Sequence, residues 1–274
     1  MQFRKSLLIL SVALLLAACG SPEERAAGYL EKAQKLYDDG DYVKARLEAQ
    51  NAAQVEPKNA KARYLLALIA EQNKEYQPMF GHLLVAVDGD PSNVEARLKL
   101  GTLYFLGRAW DDAEKQATEL MKLAPDDARV HLLQARVLIQ KEDRTGGLAE
   151  LTKALELDPD NIDAILLRSA ADALEGIDKG LATLDIAINR LPPDKTRQLR
   201  ELRVIMLAQD KRTDELEVGL RDLSKDFPDE QAYQLQLAQF YTSVGRVDEA
   251  DKLLKKFTEL DPKNADKQLG YVQF

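Results

Sequence analysis

The 274-residue chain is poor in the side chains that most protein chemistry uses, with one cysteine, Cys19, and two histidines, His82 and His131. A single cysteine cannot form an intramolecular disulfide, so packing must stabilise the fold. Three such residues, far apart in the sequence, are too few for a transition-metal site. We therefore expect no metal and no other cofactor.

Long hydrophobic runs are also scarce. The longest, residues 7–16, has about ten residues, whereas a membrane-spanning helix needs roughly 20. A basic pair, Arg4 and Lys5, precedes this run and two alanines follow it, which indicates a signal peptide over residues 1–18. No later run is comparably apolar, so we predict no transmembrane helix.

The end of that segment, Leu16-Ala17-Ala18-Cys19, resembles the lipobox of bacterial lipoproteins. The resemblance implies that Cys19 is lipidated and becomes the mature N-terminus, with residues 19–25 as a short tether. Several acyl chains would make this anchor effectively permanent. Gly20 and Ser21 follow in place of the Asp that retains such proteins at the inner membrane, which favours the periplasmic face of the outer membrane. The alternative is an ordinary secretory signal with an incidental cysteine.

Basic charge is in deficit. The chain has 46 acidic and 38 basic residues, a formal net charge of −8 at pH 7. An acidic surface repels phosphate backbones and anionic lipids, so we expect no nucleic-acid partner and a membrane contact through the lipid anchor only. The mixture of 31% charged and 45% hydrophobic residues is typical of a folded rather than a disordered chain.

The prolines are few but regularly placed. Seven of the ten lie 34 residues apart, with a single step of 35: Pro57, Pro91, Pro125, Pro159, Pro193, Pro228 and Pro262. Proline does not continue a helix interior, and the Asn or Asp that follows it can cap the next helix. Midway between the prolines, a glycine is placed where a helix ends in the left-handed conformation, as in Asp39-Gly40-Asp41-Tyr42, Leu106-Gly107-Arg108-Ala109 and Val244-Gly245-Arg246-Val247. Each period therefore contains two antiparallel helices.

Small residues lie ten positions after most of these prolines, where the two helices must cross closely: Ala67, Gly101, Ala135, Ser169 and Ala238. With the 34-residue period, they resemble the tetratricopeptide repeat family. The resemblance implies an all-α fold, a right-handed superhelical solenoid of about seven helix-turn-helix repeats over residues 26–274, with a further helix after Pro262. The pattern weakens around residues 190–205, where we expect an irregular joint.

In this family the first helix of each repeat lines a concave groove, which implies that a peptide or helix of a partner protein binds there. The groove positions carried over are Tyr37, Tyr64, Leu68, Leu98, Phe105, Arg129, Leu132, Arg136 and Ile139. They predict an apolar, aromatic groove with a small basic spot formed by the two arginines. The alternative for any one of these leucines is packing against the next repeat. The Lys and Asn cluster with which cytosolic co-chaperones of the family hold a C-terminal carboxylate is absent from the corresponding positions.

No constellation of catalytic residues is present in the sequence, and we predict a non-enzymatic scaffold. His131 falls at a helix-packing position. Acidic pairs such as Asp111-Asp112 fall at helix starts, where they interact favourably with the helix dipole. A glycan-binding or cell-wall enzyme, with Glu71 and Glu95 as its carboxylate pair, is a distant alternative.

The N-terminal residues Cys19-Gly20-Ser21-Pro22-Glu23 and Ala62-Arg63-Tyr64-Leu65-Leu66 resemble repeat lipoproteins of exopolysaccharide-export and protein-sorting systems. This resemblance implies a scaffold that binds the protein partners of a cell-envelope complex. A pilotin-like lipoprotein that assists the assembly of a pilus or secretin complex is the alternative.

Overall fold

The computed structural model describes residues 21–259, 262 and 265–274; Cys19 and the predicted signal segment lie outside them. Over these residues the chain is helical, without a β-strand, and no helix among them is long and apolar enough to cross a membrane. The helices are α1 Pro22–Asp38, α2 Tyr42–Val55, α3 Ala60–Gln72, α4 Tyr76–Gly89, α5 Val94–Leu106, α6 Trp110–Leu123, α7 Ala128–Gln140, α8 Arg144–Leu157, α9 Ile162–Ala173, α10 Ile177–Arg190, α11 Arg197–Gln209, α12 Thr213–Asp226, α13 Gln231–Ser243, α14 Val247–Glu259 and α15 Ala265–Gln273.

The chain forms two compact units, the first running to Glu150 and the second from Leu151 to Phe274. Odd-numbered helices are the first helices of the repeats and even-numbered helices are the second. In the first unit α1 packs on α2, α3 on α4 and α5 on α6; in the second unit α9 packs on α10, α11 on α12 and α13 on α14. The predicted all-α succession of helix-turn-helix repeats is confirmed.

The first helices begin where the regular spacing of the seven prolines predicts; we call this 34-residue spacing, with its single step of 35, the proline lattice. Asn59 caps α3 by accepting a hydrogen bond from the backbone N–H of Ala62 at 2.9 Å, and Asn93 caps α5 in the same way. Asp127 and Asn161 cap α7 and α9. Each of these residues follows a lattice proline by two positions, so the turn sequence supplies both the helix break and the next helix start.

Helix α1 begins earlier than the predicted tether allows. Ser21 Oγ accepts from the Glu24 N–H, and the Glu24 carboxylate accepts from the Ser21 N–H, which together form a capping box. Residues 22–25 are therefore helical, so the first turn of α1 falls within the segment predicted as a short tether.

The turns within the repeats use the left-handed conformation, but not always at glycine. Gly40 and Gly245 have φ values of 80° and 79°, as predicted. Gly107 has φ −77°, and the left-handed residue is the next one, Arg108, with φ 60°. The prediction for Gly107 was thus one residue early. Non-glycine residues occupy the same 34-residue lattice position in four repeats, at Lys74, Arg108, Glu142 and Lys211.

The core of each unit is made where small residues allow the helices to approach. Ala67, Ala135, Ser169 and Ala238 are completely buried. A Cβ atom on Gly101 would lie 2.8 Å from Leu133 Cδ2, so a larger residue there would require the Leu133 side chain to shift. Around these contacts, leucines such as Leu65, Leu120 and Leu223 are almost fully buried. Burial of each one stabilises the folded state by about 1.5–3 kcal/mol relative to an exposed side chain.

The predicted irregular joint is present in the second unit. Helix α10 begins one residue earlier than the 34-residue lattice requires and α11 begins one residue later. The intervening segment contains a 3-10 turn, Pro193–Lys195, and the buried Thr196 donates a hydrogen bond to the Pro193 carbonyl at 3.0 Å. This joint changes the register of every residue that follows it.

Candidate functional site

In the first unit, the first helices α1, α3, α5 and α7 form a face that we name the first-helix face. Tyr37, Tyr64, Leu68 and Leu98 are half-buried on it. Burial, followed by the charges of Glu95 and Glu71, raises the pKa of Tyr64 to about 12. Its hydroxyl therefore stays protonated in neutral solution and can donate a hydrogen bond.

Ion pairs connect neighbouring first helices across this face. Lys99 of α5 contacts both carboxylate oxygens of Glu71 on α3 at 2.8 Å. Arg129 of α7 makes two hydrogen bonds to Glu95 on α5, at 2.6 and 3.0 Å, and two to Asp127 at the same distances. These bonds, first to Asp127 and then to Glu95, raise the pKa of Arg129.

The predicted basic spot is consequently not basic. The charge of Arg129 is opposed by two carboxylates, and Arg136, which is half-buried, is also engaged by a neighbour. Both arginines therefore already have partners within the protein, and a binding partner would not meet a cationic patch.

Three other predicted groove residues pack against neighbouring side chains. The exposed fraction of Leu132 is only 6%, which places its side chain in the interior. Ile139 lies against α8, where its Cγ1 would be 2.5 Å from a Cβ on Gly147. Phe105, at the end of α5, packs its ring on Trp110 with centroids 5.2 Å apart. Tyr64 and Phe105 pack against different hydrophobic clusters, so the structure does not join them into one aromatic stretch.

A cleft in the second unit, which we name the α11–α13 cleft, was missed from the sequence. Its volume is about 660 Å³. The floor is apolar, formed by buried residues of α11, α12 and α13: Val204, Leu220, Leu223 and Phe240. The rim carries Ile205, which is 52% exposed, with polar Gln236, Gln239 and Ser243.

A charged and aromatic network lies among the residues that line the cleft. Arg197 Nε donates to the Tyr233 hydroxyl at 2.7 Å and its Nη1 contacts Glu230 at 2.8 Å. The Tyr233 hydroxyl in turn donates to Glu201. Burial and then this bond raise the pKa of Tyr233 to about 12, so the hydroxyl remains a donor. The single arginine is thus shared by two carboxylates, Glu201 and Glu230, and the network fixes the positions of Arg197 and Tyr233.

Part of the cleft lining occupies the same repeat positions as residues of α3 in the first unit. When the added residue before Pro228 is counted, Glu201, Ile205 and Ala208 correspond to Tyr64, Leu68 and Glu71. A signal was available in the sequence, because the lattice itself identifies these positions. The loss of the small-residue pattern around residues 197–203 concealed it.

Within the described part of the chain, no group of three or more His, Cys, Asp and Glu side chains could hold a metal ion. His131 is buried, with Nε2 2.7 Å from the Pro125 carbonyl and Nδ1 2.6 Å from Glu150. Both ring nitrogens therefore already have polar partners within the protein. Glu71 and Glu95, the distant candidates for a carboxylate pair, are each paired with a cation.

Comparison with known proteins agrees with this architecture. Profiles described as tetratricopeptide repeat match residues 30–77, 82–137 and 232–264. A tetratricopeptide repeat protein from Parabacteroides merdae superposes with a TM-score of 0.65 at 16% identity, covering 90% of this chain and 98% of that one. Yeast Tom70 superposes with a TM-score of 0.60 at 17% identity, covering 99% of this chain and 57% of Tom70. At these identities the likeness shows the fold alone.

A curated relative is anaphase-promoting complex subunit 3 of Schizosaccharomyces pombe, 28% identical over 109 residues. The match covers 40% of this chain but only 16% of that protein's length. Repeat period, helix pairs, close-contact residues and the three profile matches all agree, and the fold is that of a protein-interaction scaffold. The chain belongs to the tetratricopeptide repeat family.

Proposed function

We propose that this protein is an adaptor tethered to the periplasmic face of a bacterial outer membrane, where it binds the protein partners of an envelope complex. The support for the tether is the lipobox-like sequence that ends at Cys19. The support for exopolysaccharide export, or a related secretion and sorting system, is the resemblance of the N-terminal residues to the repeat lipoproteins of those systems.

The observation that carries the binding role is the α11–α13 cleft. It combines an apolar floor with a rim of glutamine and serine side chains, and it includes Ile205, whose repeat position is that of the predicted groove residue Leu68. Such a cleft suits an extended or helical peptide, whose apolar side chains enter it while its polar groups bind the rim. The exposed Ile205 is the side chain that such a peptide would cover.

The binding role is tested by affinity capture from detergent-solubilised envelopes, followed by mass spectrometry. Ile205→Asn should lose the captured partner, because it places an amide in the apolar contact. Ile186→Asn is the matched control, since Ile186 is 67% exposed on α10 of the same unit but does not line the cleft. A partner lost with both variants or with neither would argue against the cleft as the binding site.

The identity of the captured protein tests the pathway separately. A polysaccharide-export component supports the proposed role, whereas a secretin would indicate the pilotin-like function instead. The tether is tested by Cys19→Ser, which should release the protein from the membrane fraction into the soluble periplasm. If the variant stays in the membrane fraction, the lipid on Cys19 is not the anchor.

A further inference from the structure

A second apolar surface lies at the turn end of the second and third repeats. Helix α4 begins there with Tyr76, α5 ends with Leu106 and α6 begins with Trp110. The exposed fractions of Tyr76 and Leu106 are 61% and 69%. Contact between water and large apolar side chains is unfavourable in free energy, and a partner that covers them removes this cost. We name this surface the turn rim.

Two cavities flank Leu106 on the turn rim. One, of about 530 Å³, is lined by Tyr76, Phe80, Leu103 and Tyr104, and the rings of Phe80 and Tyr104 meet edge to face at 5.2 Å. The other, of about 520 Å³, is lined by Phe105, Trp110, Arg108 and Gln140. Leu106 lines both cavities. Tyr, Trp and Arg are the residue types enriched among the hot spots of protein interfaces.

Of the described residues that line the two cavities, Arg108 is the single charged one. Among the residues that the structure describes, no carboxylate lies within ion-pair distance of it, in contrast to Arg129 on the first-helix face. The carboxylates of α6 pair with lysines instead: Asp111 and Glu114 share Lys141, at 3.3 and 2.5 Å, and Asp112 contacts Lys115 at 3.0 Å. The turn rim therefore presents one unopposed positive charge beside two apolar cavities.

We propose that the turn rim binds a segment of a partner protein that places apolar side chains in the two cavities and a carboxylate against Arg108. The charge identifies the occupant, since an acidic and apolar segment complements both features. A second copy of this chain, docked rim to rim about a twofold axis, would bring two Arg108 side chains together and is disfavoured by their repulsion. This surface is independent of the lipid tether and of the α11–α13 cleft.

The test uses Trp110, the only tryptophan in the chain, as a reporter inside the site. Full-length protein is titrated with synthetic acetylated and amidated peptides in which two leucines are separated by one to five serines, with one glutamate at the end. A twin of each peptide carries glutamine in place of glutamate. At least one glutamate peptide should change the Trp110 emission saturably and bind about two- to fivefold more tightly than its twin, as expected for an exposed charge pair.

Two substitutions locate the binding. Arg108→Gln should remove the preference for glutamate, whereas Lys211→Gln should retain it, because Lys211 has the same left-handed backbone (φ 58°) at the equivalent turn of the second unit. Leu106→Asn should weaken binding about tenfold, because it replaces the apolar side chain that lines both cavities with an amide. Leu106 is largely exposed, so this variant should keep the circular dichroism spectrum of the wild type.

Three results would overturn the proposal. One is a panel in which no peptide changes the Trp110 emission. Another is equal binding of the glutamate and glutamine twins. The third is concentration-dependent dimerisation in sedimentation experiments that Leu106→Asn abolishes, because that result would make a second copy of the chain the occupant of the rim. None of these results bears on the capture experiment at the α11–α13 cleft.

Discussion

His131 Nε2 donates a hydrogen bond to the carbonyl oxygen of Pro125, six residues earlier, at 2.7 Å. A carbonyl oxygen only accepts, so this ring nitrogen must carry hydrogen. The same contact from a first helix back to its lattice proline recurs in other repeats: Arg63 to Pro57 at 2.9 Å, Arg97 to Pro91 at 2.8 Å and, longer at 3.5 Å, Gln234 to Pro228. Where Ile165 occupies the position and has no donor, Arg190 of α10 donates to the Pro159 carbonyl instead. The carbonyl of the proline in each of these inter-repeat turns therefore accepts a hydrogen bond, but the donor is His, Arg or Gln depending on the repeat.

This contact predicts how substitutions at His131 affect stability. His131→Leu should lower the free energy of unfolding by about 1–3 kcal/mol, because the Pro125 carbonyl and the Glu150 carboxylate lose a partner in a buried site. His131→Gln should lower it less, since the amide can still donate to the carbonyl as Gln234 does. Urea unfolding followed by Trp110 fluorescence measures both. Equal losses would show that the hydrogen bond contributes nothing beyond packing.

Gly40 should resist substitution for conformational reasons alone. A Cβ atom on Gly40 would meet nothing within 4 Å, but its φ is +80°. Gly40→Ala should therefore reduce the free energy of unfolding by about 1 kcal/mol. Gly176 is the matched control, because it also ends a turn and has open space, yet its φ of 161° is extended backbone that alanine adopts. Thermal unfolding should show a lower Tm for Gly40→Ala and an unchanged Tm for Gly176→Ala.

The sequence predicts the features that recur every 34 residues, but it misses the cleft that follows the one step of 35 residues. The prolines and the Asn or Asp residues that follow them locate the starts of α3, α5, α7 and α9, because a helix break and a cap act locally. The ion pair of Arg129 with Glu95 was predictable too, since 34 residues separate them and so place them at equivalent positions of neighbouring helices. The α11–α13 cleft depends on one added residue before Pro228, and the loss of lattice register there hid Ile205.

Two helical glycines should respond to alanine in opposite directions. In α8, a Cβ on Gly147 would lie 2.5 Å from Ile139 Cγ1 and 3.0 Å from the Ala135 carbonyl, so Gly147→Ala should cost about 1–3 kcal/mol through overpacking. Gly81 lies inside α4, and a Cβ atom there would meet nothing within 4 Å. Gly81→Ala should therefore add about 0.5–1 kcal/mol through the better helix propensity of alanine. Urea midpoints of the two variants against the wild type measure this, and a shift of both in one direction would contradict the packing argument.

His82 should make the stability of the protein depend on pH. It lies half-buried in α4, and burial, followed by the positive charges of Arg63 and Arg46, lowers its pKa below the usual 6.5. Because the folded pKa is depressed, the unfolded chain takes up the proton first as pH falls. The stability that the neutral ring provides is present above pH 6.5 and is lost as the pH falls through the folded pKa.

His82→Gln removes this titration and keeps a polar side chain of similar size. The wild type should therefore lose more stability than the variant between pH 7.5 and pH 5.5, a range of about two units chosen to lie above the titration of most carboxylates. Urea midpoints measured across this range for the two proteins provide the comparison, in which contributions shared by both cancel. Parallel pH profiles would mean that His82 titrates alike in the folded and unfolded chains, and that burial among Arg63 and Arg46 does not disfavour its charged form.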